Sequence, residues 1–145
     1  MKPIVFTLIL FAFASCKESK KQDTIEVSTL HSNTWIREIE LNDSNKWEAN
    51  SETNEGVLKM KNSIKMHNTN SLVEYYELAK QLNFDKNYVL KNCTMKGASH
   101  DNLHVWLLPL IAKIEALSAV KTIEEASKLK QSIEENINEY SNYFE

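Results

Sequence analysis

Two glycines and two prolines in 145 residues leave this chain with almost no turn punctuation. Pro3 sits at the extreme N-terminus, so Pro109 is the proline that matters for a fold. Such scarcity disfavours turn-rich β architectures and leaves long stretches free for helices. Motifs for common chemistries are missing as well. There is no phosphate loop or nucleophile elbow, and no Cys-x-x-Cys-His for covalent haem. The zinc-protease pattern His-Glu-x-x-His fails because Asp101 follows His100. The acidic pairs Glu124-Glu125 and Glu134-Glu135 read as solvated helix faces rather than acid/base machinery. Enzymatic activity is not expected. With a formal net charge of −3 and no basic block beyond Lys20-Lys21, nucleic acid is not an expected partner either.

What is present begins with an N-terminal leader. Met1-Lys2 carries a positive charge, and Ile4 to Ala14 is apolar apart from Thr7. This is too short for a mature bilayer span but fits the h-region of a signal peptide. It ends in Phe13-Ala14-Ser15-Cys16, which resembles the lipobox of bacterial lipoproteins with Phe13 where Leu is commoner. That resemblance implies residues 1–15 as a lipoprotein signal peptide and Cys16 as the lipidated first residue of the mature chain. Residues 16–24 are then a charged, flexible tether. The expected location is the cell envelope, periplasm-facing or at the outer membrane, with the membrane held through the lipid. Loss of Lys2 takes the formal charge to −4. If Cys16 carries lipid, Cys93 has no partner in a disulfide-permissive compartment.

Residues 25–45 read as irregular or shortly extended, with Thr24 to Val27 and Trp35 to Leu41 as candidate extended pieces. From residue 46 onward the periodicity predicts an all-α, up-down-up-down four-helix bundle. The first helix is expected over Lys46 to His67, carrying Trp47, Val57, Met60 and Ile64, with Asn50 and Asn54 interrupting the stripe. Ser71 with Glu74 is a capping box that opens the second helix. Its face runs from Leu72 through Tyr75, Ala79, Leu82 and Val89 to Cys93, with Lys86 as its weak point. Gly97 suits a left-handed C′ residue, and Ser99 suits the cap of a third helix. That helix buries Leu103, Trp106 or Leu107, Leu110, Ile111, Ile114 and Leu117, and Pro109 predicts a kink. Thr122 with Glu125 is a second capping box, opening a helix lined by Ile123, Ala126, Leu129, Ile133, Ile137, Tyr140 and Phe144.

The sharpest chemical feature is the run Cys93 to His104, which gathers Cys93, Met95, His100 and His104 at one helix–turn–helix corner. His100 and His104 are i and i+4, so both imidazoles project from one helix face. A thiolate from Cys93 and a weak thioether from Met95 could complete a soft ligand set. Such a set favours a copper ion, with a zinc ion as the alternative, because Met is rarely a zinc ligand. Reflecting positions through the turns brings Trp47, Asn50, Asn136 and Tyr140 to the same end. Trp47, Asn50 and Tyr140 are therefore candidate hydrogen-bonding neighbours of the ligands.

The runs Trp47 to Val57 and Cys93-Thr94-Met95-Lys96-Gly97, followed by His100 and Leu103-His104, resemble a family of small uncharacterised lipoproteins of Bacteroidetes-type bacteria. The likeness covers roughly residues 41–117. It implies that the two motifs act as a unit, and it implies no mechanism.

Two other readings compete. A non-catalytic adaptor would dock to an envelope or metal-handling protein through an exposed apolar patch, for which Trp35, Trp47 and Tyr143-Phe144 are candidates. Haem between Met60 and His104 is weaker, since the reflected register separates them by about 15–20 Å.

Overall fold

A computed structural model describes residues 30–145. The expected signal peptide, Cys16, the expected tether and the expected extended piece at 24–27 lie outside the described residues. Four helices follow in order: α1 (Ser51–Met66), α2 (Leu72–Asn92), α3 (Ala98–Leu117) and α4 (Ile123–Tyr143). Each packs on its neighbours in sequence and α1 also packs on α4, which closes the up-down-up-down bundle. Among the described residues no strand forms, and no helix is long and apolar enough to cross a membrane.

Each helix buries most of the residues that its periodicity placed inward. Val57, Met60 and Ile64 of α1 meet Tyr75, Leu78, Ala79, Leu82 and Val89 of α2 in one core. Leu103, Trp106, Leu107, Leu110, Ile114 and Leu117 of α3 join them, with Ala126, Leu129, Ile133, Ile137 and Tyr140 of α4. A fully buried side chain of this size stabilises by about 1.5–3 kcal/mol, so these stripes dominate the fold. Gly56 lets α1 approach α2 closely, because a Cβ there would collide with Val89 Cγ2.

Local signals set the helix starts. Ser71 accepts from the Glu74 amide at 3.3 Å while Glu74 accepts from the Ser71 amide at 3.0 Å, a complete capping box. Thr122 accepts from the Glu125 amide at 3.2 Å. Pro109, where a kink is expected, lies inside α3, which runs through it as one helix.

Several local expectations are corrected. Trp35 to Leu41 is not extended: Thr34–Arg37 forms a 3-10 turn that inserts Trp35, 3% exposed, into the core. Trp47 precedes α1 instead of belonging to it, and pairs in a parallel β-bridge with Phe144. Helix α2 stops at Asn92, five residues before the glycine expected to close it, and Cys93 is its extended C-cap. Gly97, at φ 61° and ψ −147°, serves as N-cap of α3 instead of closing α2. Ser99 is consequently inside α3 and donates back to the Lys96 carbonyl. Ile123 faces solvent, and the proposed apolar patch does not form, since Trp35 and Phe144 are buried and Trp47 and Tyr143 are half-buried.

The segment before α1 is fastened at several points. Asn42 and Asn45 exchange backbone hydrogen bonds at 2.9 and 2.8 Å across a tight turn with positive φ at Asp43 and Ser44. The Glu40 amide donates to Asn102 Oδ1 at 2.8 Å, and Trp47 Nε1 donates to the Glu40 carbonyl at 2.7 Å.

Candidate metal corner

The corner is built by what ends α2 and starts α3. Asn50, the N-cap of α1, reaches across the bundle end. Its Nδ2 donates to the Asn92 carbonyl at 3.0 Å, and its Oδ1 receives the Thr94 amide at 3.4 Å and the Thr53 hydroxyl at 2.7 Å. This carboxamide draws the chain out of the helix at Cys93. An extended run then leads to Gly97, whose conformation is open to glycine and strained for other residues.

His100 and His104 lie in the opening turns of α3. Their ring centroids are 4.3 Å apart with planes tilted by 52°, and His100 is half-buried while His104 is exposed. Two imidazoles so placed can chelate one ion from the solvent side, leaving other coordination positions for water or an external donor. Cys93 and Met95 are half-buried and pack against the core. The Cys93 side chain is close enough to Tyr140 to act on it electrostatically. Among the described residues no three His, Cys, Asp or Glu side chains converge in a metal-holding group. The structure thus brings the two imidazoles together and does not gather Cys93 with them into a three-donor set.

The expected neighbours do occupy this end, but their polar groups have other partners. Tyr140 donates to Asn54 Oδ1 at 2.8 Å, stacks on Phe144 at 4.8 Å and meets Trp106 edge-on at 4.9 Å. Burial, with a smaller contribution from Cys93, holds its phenol above the ordinary tyrosine range. Trp47 commits its indole to Glu40. Trp47, Lys96, Ser99 and Glu145 line an open groove of about 530 Å³ beside the corner.

Two polar sites were missed by sequence reasoning. At the far end, Ser63 Oγ donates to Asp85 Oδ2 at 2.6 Å, Gln81 Nε2 donates to Asp85 Oδ1 at 2.9 Å, and His67 Nδ1 lies 2.8 Å from the Ser63 carbonyl. The residue types suggest a triad, yet the hydroxyl bonds the carboxylate directly and the imidazole meets backbone. No base stands on the nucleophile, so the arrangement fastens α1 to α2 instead of preparing a reaction.

The second site lies inside the bundle. Lys113 is 1% exposed and donates to Asn33 Oδ1 and, at 3.1 Å, to Asn136 Oδ1. Burial lowers its ammonium to about 8, partly opposed by the negative charge of Glu135. The signal was available: Lys113 falls on the same helical face as Trp106, Leu110 and Leu117, where a lysine is out of place.

Comparison with protein-family models, with curated proteins and with solved structures yields no match for this chain.

Proposed function

We propose that this chain is a lipid-anchored, non-catalytic envelope protein that binds a late first-row transition-metal ion at the His100–His104 pair. The observation that carries the reading is the 4.3 Å separation of the two imidazole rings on the solvent edge of α3. Imidazole donors favour copper over zinc by intrinsic affinity, so copper is the first candidate and zinc the second. Cys93 and Met95, on the adjoining loop, are the donors that a soft Cu(I) ion would have to recruit. The anchor rests on the leader sequence and Cys16.

The test is metal content by elemental mass spectrometry, followed by Cu(II), Cu(I) and Zn(II) titration of the full chain carrying Cys16→Ser. One equivalent is expected to bind, with His100→Ala and His104→Ala each weakening it by about tenfold or more. A Cys93→Ser variant that loses Cu(I) alone would add the thiolate to the site. Absence of binding at micromolar metal, or binding indifferent to both histidine changes, sinks the metal reading.

A second reading has its own observation. Met66 and Phe84 are 81% and 69% exposed and line one open groove between α1 and α2. Exposed side chains of this size in one patch suit docking to another envelope protein. A chain that binds no metal would leave this adaptor role as the better account.

A further inference from the structure

Lys113 holds a buried positive charge without an anion. Its two acceptors, Asn33 Oδ1 and Asn136 Oδ1, are neutral carboxamides. Ion pairs among the described residues are Lys59–Glu55 and Lys128–Glu124, both on the surface; Glu135 accepts from Asn33 Nδ2 at 3.4 Å and acts on Lys113 across that carboxamide, without direct contact. A buried cation without a counter-ion costs several kcal/mol in desolvation, so the arrangement invites an anion.

Two unmatched polar atoms belong to residues linked to Asn33. Among the described residues, His31 Nδ1 and Ser132 Oγ are the buried side-chain polar atoms without a hydrogen-bond partner. Both adjoin Asn33. His31 precedes it by two residues, and the Ser132 carbonyl accepts from Asn33 Nδ2 at 3.3 Å. Buried unpaired polar atoms are rare in folded proteins. Asn33 Oδ1 is already shared, since Trp35 Nε1 also donates to it at 2.9 Å.

An apolar cleft of about 310 Å³ opens beside this cluster. Leu30, Trp35, Leu108, Pro109 and Ala112 form its walls, and Lys113 is part of its lining. Ser32 and Thr34 border the cleft while Asn33, between them, turns its carboxamide to Lys113. The volume is at the small end of the range for ligand sites. A single cation matches a monoanion, and the apolar walls match a short hydrocarbon body.

We propose that this cleft binds a small amphiphile with one carboxylate, whose head replaces the Asn33 carboxamide on Lys113 Nζ and whose body lies against Trp35, Leu108 and Pro109. The site is separate from the histidine pair and does not depend on the metal reading. No bond is made or broken.

Octanoate, kept below its micelle-forming concentration, is the probe, with octanol as its uncharged counterpart. The readout is the Trp35 indole N–H resonance in the full chain carrying Cys16→Ser. Octanoate is expected to shift it saturably, with octanol about tenfold weaker. Lys113→Met should bring octanoate down to the octanol level. Failure to saturate at millimolar octanoate, equal binding of acid and alcohol, or a preference untouched by Lys113→Met overturns the proposal. Should Lys113→Met lose its helical circular dichroism, Ala112→Phe fills the cleft instead. Octanoate binding that survives Ala112→Phe in a folded protein overturns the proposal equally.

Discussion

Trp106 and Asn136 hold each other across the α3–α4 interface. The Trp106 indole N–H donates to the Asn136 carbonyl at 2.9 Å, and Asn136 Nδ2 returns a bond to the Trp106 carbonyl at 3.3 Å. Both residues are fully buried, and the same Asn136 side chain offers Oδ1 to Lys113. The Trp106 carbonyl is the neighbour of the Val105 carbonyl, which loses its helical donor because Pro109 has no N–H. Asn136 thus couples three demands: a backbone acceptor in a proline-containing helix, a buried ammonium, and the contact between two helices.

Asn136→Ala is expected to destabilise the protein by about 2–4 kcal/mol, because it leaves the Lys113 charge with one fewer acceptor and removes a buried donor. Urea unfolding measures this. A loss under 1 kcal/mol would mean that water or a rearranged Asn33 takes over.

Lys113 gives stability a pH dependence of known sign. Its folded pKa of about 8 lies below the ordinary lysine value of 10.5, so between these values the unfolded chain binds more protons than the folded one. Stability should therefore rise with pH across that window, by at most about 3 kcal/mol. The penalty is fully present below pH 8. Tyr140 opposes it from about pH 10 upward, because its raised folded pKa costs stability once the unfolded phenol ionises. The clean interval is therefore pH 8 to 10. Asn136→Asp, which supplies Lys113 with a carboxylate, should flatten the slope in chemical denaturation followed over that interval.

Gly56→Ala sets helix propensity against packing. Alanine gains about 1 kcal/mol over glycine in a helix interior, but the new Cβ would collide with the buried Val89 side chain. Overpacking of this kind costs about 1–3 kcal/mol, so a net loss is expected. Val89→Ala in the same chain should recover the clash part of that loss. The comparison is a double-mutant cycle in urea, and additive effects would show that the contact gives way freely.

Gly97→Ala tests the corner's backbone instead of its packing. No heavy atom stands within 4 Å of where its Cβ would sit, yet φ is 61° and ψ −147°. The expected cost is about 1–3 kcal/mol, arising from strain alone. Thermal unfolding should show it, and weaker metal binding should accompany it if the Cys93–Gly97 loop contributes donors.

The bundle was readable because its stripes and caps are local. Ser71 with Glu74 and the spacing Leu103-Trp106-Leu110-Ile114-Leu117 need only neighbouring residues to declare themselves. The corner was only half readable. The i, i+4 relation of the two histidines lies within one helix and places their rings side by side. Where α2 ends does not: the Asn50 carboxamide, more than forty residues away in sequence, takes hold of the Asn92 carbonyl and the Thr94 amide. No local pattern at Cys93 reports that contact. Lys113 was passed over for a related reason, since a lysine on an apolar stripe becomes tolerable only through Asn33 and Asn136, which arrive from other parts of the chain.

The pairing of Trp47 with Phe144 has a dynamic consequence. The Trp47 amide donates to the Tyr143 carbonyl at 2.8 Å, the Glu145 amide to the Trp47 carbonyl at 3.0 Å, and the Ala49 amide to the Glu145 carbonyl at 2.9 Å. These bonds tie the approach to the first helix to the last residues of the fourth, so the helices form a closed circuit. A terminal helix in an open bundle can fray alone, and its amides exchange early with solvent. Here the last turn of α4 cannot loosen without releasing the backbone ahead of α1. Hydrogen exchange at both ends should accordingly proceed together, at the pace of one cooperative opening.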